Sequence, residues 1–212
     1  MAIIEFPPVE SADPHGLVGV GGDLEVSSLL LAYTSGIFPW PHEGYPLLWF
    51  APPQRAVLFF DELHVSRRLA KYLRKADFHF AVDHDFEAVI RACQKSPRPG
   101  QSGTWITRAM IRAYIEFHRA GYAHSFEVYD SSKKLVGGLY GVWIDKLFCG
   151  ESMFYRVEGA SKFALIKTVE HLRGQGLSWL DAQVMTPLLE SFGARDVPRQ
   201  QYMQMLVELF HR

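Results

Sequence analysis

The sequence predicts an α+β protein in which a small irregular domain, residues 1–60, precedes a mixed-sheet domain, residues 61–212. Its 212 residues are 48% hydrophobic and 21% charged, a globular balance that excludes disordered and fibrous chains. Residues 1–60 are rich in glycine, proline and aromatic side chains. From residue 61 the pattern becomes regular, with helices, then a β-meander, then strand, helix, strand and helix.

The first sixty residues predict one short helix and one strand. Asp23 has the side chain of an N-cap, and Gly36 is the expected stop of that helix. Residues 56–60 have the apolar pattern of a strand. Loops that combine glycine and proline with large aromatic side chains are typical of a cleft wall, so we expect this domain to border the site.

The elements of the second domain follow from caps, periodicity and turn residues. Ser66 and Thr107 are expected to cap helices that end at Lys75 and Ala120. A polar break, residues 94–103, separates them. The other expected elements are a strand 78–82, a helix 86–93, a hairpin over 123–144, a strand from 146, a helix 160–173, a strand 177–184 and a helix 198–210 that begins with a proline.

Charge, cysteines and apolar runs limit the possible functions. Lys and Arg total 22 against 23 Asp and Glu, so any nucleic-acid site must be a local basic patch. The two cysteines form no CxxC pair, which argues against a zinc ribbon or a disulfide framework. No signal peptide and no apolar run of about 20 residues is evident, so we expect a cytoplasmic protein without membrane contact.

Three polar residues are candidate catalytic groups because they interrupt apolar strands. Glu151 follows FCG where a strand is expected to end, and Asp181 and Gln183 lie in SWLDAQV. Alternation along a strand puts Asp181 and Gln183 on the same face. A carboxylate in an apolar strand is costly to bury unless it has a partner or a chemical role. The structural alternative is that Asp181 caps the next turn or pairs with an arginine.

Two further features suggest binding surfaces. The segment HVSRRLAKYLRK carries five cations and no acid, which suits a phosphate backbone or an ordinary solvated helix face. Trp40 and Trp105 lie in loops flanked by Gly or Pro, where they would either stack on a base or pack internally. The five cations are Arg67, Arg68, Lys71, Arg74 and Lys75.

Other catalytic classes have weaker signals. The segment HFAVDHD lacks the HExxH spacing, and neither GxSxG nor a Cys–His pair is evident, so we expect no metal and no covalent acyl-enzyme. RVEGAS at 156–161 approximates the pyrophosphate loop of acyl-CoA acetyltransferases. An acyl-CoA-dependent N-acetyltransferase therefore stays open as an alternative.

The motifs GIFPW, GTWIT, LFCGESMF and DAQV occur in an order that resembles leucyl/phenylalanyl-tRNA–protein transferases, over roughly residues 16 to 205. The resemblance implies an acetyltransferase-like fold without a cofactor. It implies transfer of Leu, Phe or Met from aminoacyl-tRNA to proteins that begin with Arg or Lys, marking them for degradation in bacteria. It also implies a monomer whose basic helix, residues 64–75, lies along the tRNA acceptor stem.

The resemblance also assigns roles to individual residues. Asp181 and Gln183 match the pair that handles the attacking amine, Glu151 matches a site carboxylate, and Trp40 and Trp105 match the walls of the adenosine pocket. The side-chain pocket would be lined by Phe148, Met153, Leu165 and Leu180. Two positions depart from the family pattern, with Leu188 in place of a histidine and Phe50 in place of a tryptophan. They leave a non-catalytic tRNA-binding relative as a second alternative.

Overall fold

The computed structural model describes residues 2–97 and 104–210, so most of the predicted break at 94–103 lies outside the described residues. A seven-stranded mixed sheet forms the centre of the fold. Its strands, in spatial order, are β10 (Arg195–Pro198), β4 (Gln54–Phe59), β9 (Trp179–Gln183), β8 (Leu147–Tyr155), β7 (Leu135–Ile144), β6 (Ala123–Tyr129) and β5 (His79–Val82). All neighbours are antiparallel except β8 and β9, which run parallel. The predicted α+β class is confirmed.

A small three-stranded sheet is formed by the N-terminal part of the chain. Its spatial order is β1 (Leu17–Val20), β3 (Leu48–Phe50) and β2 (Phe38–Pro39), and α1 (Val26–Thr34) precedes β2. Strand β4 lies before the predicted domain boundary at residue 60, yet it pairs with β9 and β10 of the large sheet. Strand β4 therefore belongs to the large sheet.

Helices cover both faces of the large sheet. The remaining helices are α2 (Arg67–Leu73), α3 (Phe86–Lys95), α4 (Arg108–Arg119), α5 (Ala160–Gly174), α6 (Pro187–Ser191) and α7 (Arg199–Phe210). One apolar cluster joins α1, α3, α4 and α7 to one face, and a second joins α5 to the other. No helix within the described residues is long and apolar enough to cross a bilayer.

Several local predictions are confirmed. The side chains of Ser66 and Thr107 cap α2 and α4 by accepting hydrogen bonds from Leu69 N and Met110 N. Gly36 follows α1 with a φ of 73°, the left-handed conformation that glycine adopts without strain.

Three local predictions are wrong. The N-cap of α1 is Glu25 rather than Asp23. Asp23 lies two residues earlier and stabilises the first turn by accepting hydrogen bonds from Glu25 N and Ser28 Oγ. Pro198 ends β10 opposite Gln54, so the last helix begins at Arg199. Glu151 lies within β8 rather than at its end, because pairing with β7 continues to Tyr155.

Candidate active site

A pocket of about 580 Å³ opens between the parallel strands β8 and β9. These strands pair at Cys149 and Asp181, and beyond that pair Glu151 and Gln183 both line the pocket. Each side chain lies at or next to a β-bulge. Gly141 pairs with Gly150 and Tyr140 with Ser152, which leaves Glu151 as the extra residue. A bulge redirects side chains beside a site, and here it turns a carboxyl group into the opening.

The second bulge lies on β9. Ala56 pairs with Gln183 and Val57 with Asp181, so Ala182 is the extra residue of that strand. Gln183 itself has a φ of 64°, which is uncommon for a residue with a side chain. Such a conformation persists only where the surroundings hold it, and its backbone N–H donates to Asp181 Oδ1 at 2.8 Å. The carboxylate of Asp181 therefore fixes the conformation of Gln183.

The carboxyl group of Glu151 is held by two hydrogen bonds at the edge of the pocket. Tyr33 Oη and Gln183 Nε2 each donate to Glu151 Oε1 at 2.7 Å. Tyr33 also shares a hydrogen bond with the hydroxyl of Tyr114. Burial raises the pKa of Glu151 to about 7, and the bonds from Tyr33 and Gln183 oppose a further rise. Near neutral pH this carboxyl group can therefore accept or release a proton.

Asp181 is fully buried behind this opening, and its charge is matched by Arg55. The guanidinium of Arg55 binds both carboxylate oxygens, with Nε 2.9 Å from Oδ1 and Nη2 2.7 Å from Oδ2. Tyr202 Oη donates to Oδ2 at 2.8 Å. Burial alone lowers the pKa of Arg55, but the Asp181 carboxylate outweighs it and the pKa is raised. The pairing with an arginine, one of the two structural alternatives, is therefore present.

The thiol of Cys149 lies beside the same carboxylate. Its Sγ is 3.4 Å from Asp181 Oδ2, and burial raises the pKa of the thiol well above its ordinary value. A thiol that keeps its proton is a poor nucleophile. Within the described residues no three His, Cys, Asp or Glu side chains are grouped to hold a metal ion.

All six residues expected to bind substrate line the pocket. Trp40 and Trp105 are both among its lining residues, and an apolar recess lies along α5. The residues of that recess include Phe148, Met153, Leu165 and Leu180. Leu188, one of the two residues that depart from the family pattern, also lines the pocket. Phe50, the other, packs edge-on against Trp40 with 5.7 Å between the ring centroids.

The basic helix α2 is docked next to the same pocket. Tyr72 Oη donates to Glu158 O at 2.8 Å, and its ring packs on Gly159, where a Cβ atom would lie 2.6 Å from the ring. This contact places α2 on the RVEGAS loop, close to the pocket residue Tyr155. The five cations are all exposed: Arg67, Arg68, Lys71, Arg74 and Lys75.

Four residues of the site are not predicted by the sequence pattern. Tyr33 and Tyr114 occupy apolar helix positions in that pattern, although a buried tyrosine hydroxyl needs a partner. Arg55 could have been identified from the sequence, because a single cation in the apolar segment RAVLFF needs a buried anion as its partner. Tyr202 gives no comparable signal.

The mixed sheet with its β8–α5–β9 crossover holds an apolar pocket that opens at a carboxyl group. A family model described as "Leucyl/phenylalanyl-tRNA protein transferase" matches residues 57–207, and the model of that family's N-terminal domain matches residues 22–53. The chain belongs to the leucyl/phenylalanyl-tRNA–protein transferase family.

Curated relatives agree with this assignment. A leucyl/phenylalanyl-tRNA–protein transferase of Pseudomonas fluorescens is 52% identical over 205 residues, which cover 96% of this chain and 90% of that protein. A leucyl/phenylalanyl-tRNA–protein transferase of Shewanella halifaxensis is 48% identical over 206 residues, which cover 96% of this chain and 86% of that protein.

Among solved structures, the C-terminal DUF2156 domain of an Agrobacterium fabrum protein is similar in fold. The superposed region covers 84% of this chain and 69% of the Agrobacterium chain, with a TM-score of 0.50 and 9% sequence identity. A likeness at this identity concerns the fold alone.

Proposed function

We propose that this protein transfers Leu, Phe or Met from aminoacyl-tRNA to the N-terminal Arg or Lys of acceptor proteins, marking them for degradation. The observation that carries the proposal is the hydrogen bond between Gln183 and Glu151 in a pocket that is also lined by Trp40, Trp105 and the apolar recess. A donor ester fits this layout with its side chain in the recess, its adenosine against the tryptophans and its carbonyl carbon beside the two polar groups.

The reaction is an aminolysis of an ester that is already activated. The acceptor's α-amino nitrogen attacks the ester carbonyl carbon, the bond to the ribose oxygen breaks, and the amine's proton ends on that oxygen. Alignment of the two substrates supplies on the order of 7–11 kcal/mol of the barrier. We assign the proton transfer to Glu151, because a carboxyl group with a pKa of about 7 matches an α-amine of pKa about 7.7–8.0.

Gln183 and Asp181 have different parts in this scheme. The Gln183 amide nitrogen is bound to Glu151, which leaves its carbonyl oxygen to accept a hydrogen bond from the incoming amine. Asp181 does not line the pocket and has Arg55 and Tyr202 as partners. It is a positioning residue that acts through the backbone of Gln183.

The direct test is transfer of labelled amino acid from purified charged tRNA to a peptide that begins with Arg. An apolar recess should accept Phe, Leu and Met. Val lacks one methylene of Leu, worth about 1–3 kcal/mol, so it should be poorer by roughly tenfold or more. Ile should also be poorer, because it branches at Cβ and its χ1 is stiff. Efficient transfer of Asp or Lys would contradict an apolar recess.

The same assay separates the two alternatives. Label transferred from acetyl-CoA but not from Phe-tRNA would select an N-acetyltransferase. Binding of Phe-tRNA without turnover would select a non-catalytic relative.

We propose that α2 binds the tRNA backbone. The double variant Lys71→Ala/Arg74→Ala should weaken binding of all charged tRNAs about equally, because phosphates carry no base identity. The slope of log affinity against log salt should become shallower by about 0.7–0.9 for every phosphate that the variant no longer neutralises. Transfer from a minimal aminoacyl-adenosine donor, which has no stem, should fall far less.

A matched control removes two exposed cations that lie outside α2. Arg119 is at the end of α4, and Lys146 is in the turn before β8. Arg119→Ala/Lys146→Ala has the same net charge as the α2 variant and should keep most of the salt slope. Equally weakened binding in the two double variants would mean a general charge effect rather than a tRNA site on α2.

We also propose that the protein acts as a monomer in the cytoplasm, where charged tRNA is available. We propose a two-domain organisation, with an N-terminal domain of residues 1–60 and a catalytic domain of residues 61–212. Family models that match residues 22–53 and 57–207 separately support a division near this point.

A further inference from the structure

Tyr155 is an exposed aromatic residue at the rim of the pocket that the mechanism above does not use. It is the last residue of β8, it lines the pocket, and it is 62% exposed. Within the described residues its side chain takes part in no hydrogen bond and in no contact with another ring. An aromatic ring left open at the mouth of a ligand site is a surface on which a nucleic-acid base can stack.

The first turn of α5 lies beside Tyr155. Tyr155 is paired with Gly137 across the β7–β8 hairpin. A Cβ atom on Gly137 would lie 2.5 Å from Ala160 Cβ and 3.2 Å from Ser161 N. The backbone N–H of Ser161 has no acceptor among the residues that the structure describes, and the N-cap, Gly159, has no side chain to supply one. Free N–H groups and the helix dipole favour a negative group at this end of α5.

The side chain of Ser161 adds a second donor at the same place. Ser161 is 5% exposed and lines the pocket. Its Oγ takes part in no hydrogen bond within the described part of the chain, and it keeps access to the pocket. A buried hydroxyl without a partner is costly unless water or a ligand satisfies it. The start of α5 therefore offers a hydroxyl and a backbone N–H to one anionic group.

The charge around this rim favours a nucleic acid over the acceptor protein. The loop after β8 and the first turn of α5 carry Arg156 and Lys162 against one acid, Glu158. Helix α2, whose Tyr72 packs on this loop, adds its five exposed cations. An acceptor that begins with Arg or Lys is itself cationic and is repelled by such a surface, whereas a phosphodiester is attracted.

The spacing along β8 relates this rim to the reacting groups. Tyr155 lies four residues beyond Glu151 on that strand, or about 13 Å. In the proposed donor complex the ester is at Glu151 and the terminal adenosine is against Trp40 and Trp105. The RNA strand that leads from this adenosine to α2 then passes over the rim at Tyr155.

We propose that Tyr155 and the start of α5 form a subsite for the nucleotide that precedes the terminal adenosine of the donor tRNA. Its base stacks on Tyr155, and the phosphate that joins it to the adenosine accepts hydrogen bonds from Ser161 Oγ and Ser161 N–H. This inference rests on the proposed function, because it assigns the rest of the pocket to the aminoacyl-adenosine. The nucleotide at this place is a cytidine in every tRNA, so the subsite serves all charged tRNAs equally.

The test compares three donors that carry Phe: adenosine alone, the dinucleotide CpA, and CpA in which the cytosine base is absent. Transfer to an Arg-initiated peptide gives kcat/KM for each donor. With the native protein, CpA should exceed adenosine by roughly tenfold or more, because a stacked base and a bound phosphate are added. Tyr155→Ala should reduce the advantage of CpA to that of the base-free donor, and Tyr155→Trp should retain it. Ser161→Ala should lower the advantage of both dinucleotide donors by about threefold or more.

Tyr45→Ala is the matched control, because Tyr45 is 71% exposed and lies outside this pocket. It should leave the ratio of CpA to adenosine transfer unchanged. Transfer from Phe-adenosine together with an unchanged ratio in Tyr155→Ala would overturn the subsite and leave the proposed function intact. No transfer from any of the three donors would overturn both.

Two further outcomes would assign the rim to a different ligand and so overturn the proposal. One is a higher KM for the peptide in Tyr155→Ala with an unchanged ratio of the donors, which would place the acceptor there. The other is inhibition by free CoA that Ser161→Ala relieves, again with an unchanged ratio, which would assign the start of α5 to a pyrophosphate.

Discussion

Asp181→Asn is expected to lower the free energy of unfolding by about 3–5 kcal/mol, because it leaves the Arg55 guanidinium buried without its counter-charge. Chemical denaturation measures this decrease. Glu87→Gln is the matched control, since it breaks an exposed Glu–Arg pair and should cost less than about 1 kcal/mol.

The same variant tests whether Asp181 positions Gln183. Where it remains folded, turnover should fall about a hundredfold or more, with little change in aminoacyl-tRNA affinity. The double variant Arg55→Met/Asp181→Asn should recover part of the stability, because no buried charge is left unpaired. It should not recover turnover, because the full carboxylate that holds the Gln183 N–H is still missing. A folded Asp181→Asn protein with normal turnover would remove Asp181 from the site.

Glu151→Gln is expected to reduce turnover by about 10²–10⁴-fold, because the amide cannot accept the amine's proton. In the native protein kcat/KM should rise with pH through about 7 as Glu151 ionises, and the variant should lack that limb. Tyr33→Phe removes a hydrogen bond that lowers the pKa of Glu151, so it should move the limb to higher pH. An unchanged pH profile in both variants would assign the proton transfer to another group.

The pKa of Glu151 also predicts an effect on stability. Its folded-state pKa of about 7 is above the ordinary value of 4.5, so the folded protein binds this proton more tightly than the unfolded chain. Stability from this group is complete below about pH 4.5 and is lost as pH rises through 7. The thermal midpoint of Glu151→Gln should therefore exceed that of the native protein at about pH 8 and not at about pH 4.5.

The elements predicted best are those with local signals. Ser66 and Thr107 mark helix starts by their own side chains, and the alternation in residues 123–144 predicts the long hairpin. Local signals could not reveal that Pro198 pairs with Gln54 in a strand, because that pairing joins residues far apart in the sequence.

The same distinction applies to the site. Asp181, Gln183 and Glu151 could be predicted as site residues from their residue types, because a polar side chain in an apolar strand is costly to bury without a partner or a chemical role. Which of the three residues lines the pocket and which is paired inside the protein depends on tertiary contacts. These are the ion pair of Asp181 with Arg55 and the β-bulge that turns Glu151 toward the pocket. Neither feature has a local sequence signature.

The partners of Asp181 have a consequence for how the protein is made. Arg55 is 126 residues away in the sequence, its Nη1 donates to Gly36 O at the end of α1, and Tyr202 belongs to the last helix. Contacts between such distant residues slow folding, because the entropy of closing a long loop must be overcome before they form. A chain still being synthesised has no α7 to complete them. The buried charge of Asp181 therefore gains its full set of partners only after α7 has been synthesised.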